Sequence, residues 1–240
     1  QQWNPLAGDL GSVAGQPLVM SPADVKPVWG LGVGRRALLL DGGAMLESAT
    51  AGSFGYFDRF SLAAWIRPDS LSGTVLSRMV PVEQGEGYSL HLQDGRVQVN
   101  LVKRWLDDAI RVESQLVLPA DQWVHLAVVY DGTRLASGIR LYVNGAEVPL
   151  TVQLDRLNQT FAVKAEPFRI GGGHSRFRGA ISDVRVYGRD LSSEEVELLA
   201  VPESVSEIVK LEAGSRTEVQ RRKLEDRKST RLNSSHEFVS

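Results

Sequence analysis

The sequence predicts an all-β protein, an antiparallel sandwich of two sheets with a short C-terminal helical segment. Three observations carry this. Gln122–Gly145, QWVHLAVVYDGTRLASGIRLYVNG, holds two apolar runs in which Val124, Leu126 and Val128, then Ile139, Leu141 and Val143, alternate with period two. Asn144-Gly145 closes the second run, and Asn-Gly is the strongest short hairpin signal because a type I′ turn needs φ > 0 at both central residues. Tyr88–Val102 repeats the pattern around Asp94-Gly95, with Tyr88, Leu90, Leu92, Val97, Val99 and Leu101 on one face.

In chain order, residues 1–36 are rich in Gly and Pro and predict one or two short edge strands with loops. Arg36–Asp41, RALLLD, reads as a buried strand turning at Asp41-Gly42-Gly43. Phe60–Ile66 alternates, and Pro68 ends it because proline cannot donate to a ladder. Thr74–Met79 is a short strand. Across Asp94-Gly95, Leu92 opposes Val97, Leu90 opposes Val99 and Tyr88 opposes Leu101, which leaves Ser89, His91, Gln98 and Asn100 on a face predicted to be exposed. Lys103–Ala109, KRWLDDA, is a loop or strand end, and Ile110 and Val112 resume alternation. Across Asn144-Gly145, Leu141 meets Val148 and Tyr142 meets Glu147. Phe168–Ile170 and Val184–Val186 supply later strands. Ser192 with Glu195 forms a capping box that starts a helix ending near Leu199. Beyond Pro202, Val205, Ile208 and Val209 have helical spacing, and Thr217 with Gln220 forms a second capping box.

Several of these strings carry a family resemblance. WVHLAVVYDG followed by LYVNG, FSLAAWIRP at Phe60–Pro68, FRIGG at Phe168–Gly172 and FRGAISDVRVYGRDLSSEEV at Phe177–Val196 occur in order over residues 30–200. Together they resemble laminin-G-like domains, jelly-roll sandwiches related to concanavalin A-type lectins and glucanases. The resemblance implies a jelly roll over residues 1–200. It leaves function open, because this fold hosts lectins, hydrolases and plain interaction modules. Ile208–Glu225 resembles the linker that leads from an inserted laminin-G-like domain into the next domain of large planctomycete-type, cytochrome-c-associated multidomain proteins. Residues 201–225 are therefore expected to be a helical linker. Asp226–His236, DRKSTRLNSSH, matches the translation of a common sequencing adapter, so 226–240 is read as an artefact rather than as fold.

Composition narrows the function. With 240 residues, 42% hydrophobic and 23% charged, the chain is long enough for one large β core. A net charge of −2 and aromatics that do not interleave with Lys or Arg argue against nucleic acid. The absence of cysteine excludes disulfides, CxxC metal sites and thiol catalysis. No apolar run approaches the roughly 20 residues of a membrane helix. The opening QQWNPLAGDL has neither Met nor a basic n-region, so it is read as the start of a processed chain or a fragment.

Catalytic signatures are weak. Glycosidases need two carboxylates flanking the scissile bond, and the E-x-D-x-x-E string of laminarinase-like relatives is absent. Glu83 and Glu86 fall in a Gly-containing loop, and Glu194, Glu195 and Glu197 fall on the terminal helix, all read as solvated charges. His91, His125 and His174 lack a G-x-S-x-G partner. His125 is assigned to packing inside the sandwich, Asp131 to a turn, and Trp65 and Trp123 to the core. By resemblance, calcium is a candidate at the sandwich rim, with Asp107 and Asp108 the best pair; six to eight oxygens are needed. No other cofactor is expected.

The candidate ligand site is Arg104, Trp105 and Asp107, where an indole plane lies beside hydroxyl-binding groups, as stacking on a sugar face requires. The expected function is a non-catalytic binding or interaction module of a larger extracytoplasmic protein, with carbohydrate the leading ligand class. The alternatives are a structural spacer packed against neighbouring domains of its own polypeptide and, against the missing carboxylate pair, a glycoside hydrolase.

Overall fold

The computed structural model describes residues 12–13 and 16–225. Two antiparallel sheets face each other. The larger has eight strands in the order β15 (Leu150–Arg156), β11 (Asp108–Val117), β10 (Arg96–Arg104), β9 (Gly87–Gln93), β8 (Gly73–Met79), β16 (Phe168–Ile170), β6 (Met45–Ser48) and β3 (Val19–Ser21). The smaller has seven: β14 (Ala146–Glu147), β13 (Ile139–Val143), β12 (Val124–Tyr130), β7 (Phe60–Pro68), β17 (Arg178–Tyr187), β5 (Arg36–Asp41) and β4 (Val28–Leu31). β1 (Ser12–Val13) and β2 (Gln16–Pro17) form a separate two-residue ladder. The expected two-sheet antiparallel jelly-roll sandwich is present. The adapter reading of 226–240 lies outside the described residues.

Turn chemistry sets the register as predicted. Asp94 and Gly95 have φ of 51° and 79°, and Asn144 and Gly145 have 51° and 84°, the two positive values a type I′ turn needs. β9 and β10 pair Leu92 with Val97, Leu90 with Val99 and Tyr88 with Leu101. Tyr142 opposes Glu147, and the Val148 N–H donates to the Leu141 carbonyl over 2.9 Å.

The inward faces form one core that includes Leu90, Leu92, Val97, Val99, Leu126 and Val128. A second, smaller cluster lies on the outside of the seven-stranded sheet. There Ala127, Val129 and Tyr142 meet Val196 of helix α1 (Ser193–Leu199). The predicted capping box at Ser192 and Glu195 is made in both directions.

Residues 201–225 are partly helical and fold back onto the sandwich. Helix α2 (Val205–Lys210) buries Ile208, and residues 218–225 are helical behind the Thr217–Gln220 box. Lys223 Nζ donates to the Val201 and Glu203 carbonyls over 2.7 and 2.9 Å, and Arg222 pairs with Glu197 on α1.

Three expectations need correcting. His91 and Asn100 are on the polar face, as the alternation requires, yet they are only 5% and 3% exposed. Two loops cover that face. Trp123 is half-buried beside the Arg67 guanidinium and belongs to neither apolar cluster. Trp65 is buried, but on the outer side of its sheet, edge-on to His125 at 5.3 Å between centroids.

Candidate functional site

The outer face of the eight-stranded sheet carries the site. Alternation on β9 and β10 turns the Leu and Val residues into the core, so Ser89, His91, Gln98 and Asn100 must face outward. Two connections turn this strip into a cleft. On one side the loop 80–86 is closed by the Val80 N–H donating to the Glu86 carbonyl at 2.8 Å, and Lys103 of β10 pairs with Glu86 at 2.7 Å. On the other, the Gly-rich turn after β16 crosses β8. There the Ser77 hydroxyl donates to the Gly172 carbonyl at 2.6 Å, and the Thr74 and Ser175 hydroxyls lie 3.2 Å apart. Gly173 permits this crossing, since a Cβ there would sit 2.7 Å from the Thr74 methyl.

The resulting cleft has a volume of about 220 Å³ and is lined by Ser89, His91, Gln98, Asn100, Trp105 and His174, among others. Glu83 is the one charged side chain among its described lining residues. His91 and His174 stack with ring centroids 4.5 Å apart, and His91 Nδ1 lies 3.2 Å from the Thr74 hydroxyl. Burial, with His174 adding to it, pushes the His91 pKa down to about 4. Burial also lowers His174, opposed by the nearby Glu83 carboxylate. Both imidazoles are therefore neutral at pH 7.

The remaining polar groups of the floor are amide and hydroxyl, beside the apolar Met79 and Val102. Gln98 donates to Glu113 at 2.8 Å. The Asn100 amide donates to the Ser89 hydroxyl at 3.4 Å, while its carbonyl oxygen has no hydrogen-bond partner. Trp105 closes one end, with the Arg111 guanidinium of β11 stacked 4.2 Å from its ring centroid.

The predicted trio is only partly brought together. Trp105 lines the cleft. Arg104 and Asp107 occupy the same turn but lie outside that lining and hold each other, Nε to Oδ1 at 2.9 Å and Nη2 to Oδ2 at 3.3 Å. This pairing raises the Arg104 pKa and lowers that of Asp107.

Asp107 and Asp108 do not fit calcium. Their side chains are 58% and 1% exposed, and the Arg104 guanidinium already pairs with both carboxylates. Asp108 Oδ1 accepts the backbone N–H groups of Asn158 and Gln159 at 2.7 and 3.3 Å, and such donors suit an anion rather than a cation's surroundings. Among the described residues, no group of three or more His, Asp or Glu is placed to hold a metal ion.

His125 is buried against Trp65 with its Nδ1 unpartnered, and burial lowers its pKa to about 3. Asp131 forms the predicted turn, accepting the Thr133 N–H at 2.9 Å.

Sequence reasoning did not assign Ser89, His91, Gln98, Asn100 or His174 to a site. Their alternation was readable, but it looked like an ordinary wet face. The missing signal was the loop cover, above all the turn after β16, which comes from far along the chain.

Solved structures share the fold. Domain 4 of AbnA, a GH43 extracellular arabinanase from Geobacillus stearothermophilus, solved with arabinotriose, is 16% identical with a TM-score of 0.55, over 83% of this chain and 96% of that one. A CBM40 from a Ruminococcus gnavus sialidase, bound to α2,3-sialyllactose, is 14% identical with a TM-score of 0.55, over 68% and 96%. The ligand-binding domain of botulinum neurotoxin serotype D, in complex with N-acetylneuraminic acid, is 15% identical with a TM-score of 0.56, over 83% and 49%, so the chain spans about half of it. No curated protein sequence is significantly similar. Residues 41–197 match the Laminin_G_3 family, and on that match the chain belongs to the concanavalin A-like lectin/glucanases superfamily.

Proposed function

We propose that this chain is a non-catalytic binding module, and that it holds a carbohydrate in the cleft beside Trp105. The observation that carries the reading is the lining: an indole at one end, a floor of hydroxyl, amide and neutral imidazole groups, and a single carboxylate. Hydroxyl-rich ligands need stacking planes and convergent neutral donors and acceptors. Glycoside hydrolysis needs two carboxylates across the bond, and Glu83 has no such partner among the lining residues. Structural neighbours solved with arabinotriose, sialyllactose and N-acetylneuraminic acid support the ligand class. Arg104 and Asp107 flank the Trp105 end, where they would meet only the part of a longer glycan that leaves the cleft.

A cleft of about 220 Å³ is below the usual range for ligand pockets, so a single module should bind weakly and rely on multivalency or partner domains. We place it in a larger extracytoplasmic protein, where glycans are available. The test is a glycan array probed with the chain and with Trp105→Ala, paired with a hydrolysis assay on the bound glycans. Binding that is lost in the variant, with the glycan left intact, supports the proposal. Hydrolysis removed by substituting one Asp or Glu refutes it.

The spacer reading has one observation in its favour. Val28 and Leu31 on edge strand β4 are exposed, and Val28 lines a second pocket of about 280 Å³. A β-edge with exposed apolar groups suits packing against a neighbour.

A further inference from the structure

We propose that the cleft selects uncharged glycans and rejects acidic ones. This inference rests on the carbohydrate reading above and adds the charge class of the ligand. Structural neighbours have been solved with both kinds, neutral arabinotriose and sialic-acid-containing ligands, so the fold does not decide between them.

The residues of this chain favour the neutral class. A carboxylated sugar needs a guanidinium, an ammonium or a cluster of N–H donors to replace its hydration. None of the described lining residues is Lys or Arg. Arg111, opposite Asn100 on β11, has its guanidinium stacked on Trp105, with its Nε unpartnered. Arg104, further out, already has the Asp107 carboxylate in a two-bond fork. Lys103 is paired with Glu86. Lys103 and Arg104 are thus held by carboxylates, while the carboxylate of Glu83 lines the space itself.

The floor points the same way. The carbonyl oxygen of the buried Asn100 lacks a hydrogen-bond partner. An unpaired buried acceptor calls for a donor, which a sugar hydroxyl supplies and a carboxylate does not. His91 and His174, stacked against each other, remain uncharged at neutral pH and bring no compensating positive charge. A sugar ring stacked on Trp105, with one hydroxyl donating to Asn100, meets these demands.

The experiment measures binding of the chain to arabinotriose, lactose and α2,3-sialyllactose at pH 7, alongside a wide array of neutral and acidic glycans. The expected result is binding to one or more neutral glycans and weaker binding, by about tenfold or more, to their sialylated or uronic-acid counterparts. Glu83→Lys, a change on an exposed loop, should narrow that gap. Asn100→Ala, checked for folding by circular dichroism, should weaken neutral binding. Equal or tighter binding of the acidic members would overturn the charge selectivity and leave the carbohydrate reading standing. A gap that Glu83→Lys does not narrow would overturn the role given to Glu83. Binding to no glycan at all would remove the carbohydrate reading, and this inference with it.

Discussion

Arg111 stacks on Trp105: the guanidinium carbon lies 4.2 Å from the indole centroid, and the ring also lines the cleft. Cation–π contacts of this kind contribute about 0.5–1 kcal/mol at exposed sites, and here the larger effect is to fix the plane on which a sugar would stack. Arg111→Ala should therefore cost less than about 1 kcal/mol of stability yet weaken glycan binding several-fold. Calorimetric titration beside a urea melt separates the two. Unchanged affinity would show that the indole needs no support.

Leu126 is fully buried in β12, an interior strand of the smaller sheet, between β7 and β13. Leu126→Ala should destabilise the fold by about 2–5 kcal/mol, the lost transfer energy plus the cavity. A denaturation midpoint equal to that of the parent chain would contradict its place in the core.

His91 makes stability depend on pH. Its folded pKa is lowered from 6.5 to about 4, so the unfolded chain binds the extra proton first. The contribution is fully present above pH 6.5 and is lost as pH falls through that window toward 4. His174 shifts in the same direction. Urea midpoints should fall between pH 7 and 5, and the fall should be smaller in His91→Gln. Parallel curves for the two proteins would exclude this role.

Asp108 ties the start of β11 to the backbone of Asn158 and Gln159. Removing that acceptor strands two N–H groups, so Asp108→Ala should destabilise by about 1–3 kcal/mol. Because backbone N–H groups and the Arg104 guanidinium meet this carboxylate, a chelator should leave the melting temperature unchanged. A drop in EDTA that calcium reverses would restore a metal to the rim.

The parts of the fold governed by local rules were legible in the sequence. Asp94-Gly95 and Asn144-Gly145 dictated their turns and hence the pairing of Leu90 with Val99 and Tyr142 with Glu147, and the capping boxes at Ser192 and Thr217 formed where the residues demanded. Edge strand β15 was missed although Leu150, Val152 and Leu154 alternate with Thr151, Gln153 and Asp155, and the strand buries almost nothing. The site was half legible. Trp105 stood out as an aromatic among charges. His91 and Asn100 looked solvated because their burial comes from loops, 80–86 just before β9 and 171–176 far along the chain. The docking of 201–225 was equally hidden, since Lys223 reaches carbonyls about twenty residues earlier rather than a neighbour in its own turn.

The most direct test of carbohydrate binding in this cleft is an amide and indole NMR titration of the chain with lactose and arabinotriose. The predicted result is that shifts concentrate at the Trp105 indole N–H, the Asn100 and Gln98 side-chain amides and the His174 turn, while the sugar signals show no hydrolysis. Shifts confined to other surfaces, or loss of the sugar's glycosidic signals during the titration, would contradict it.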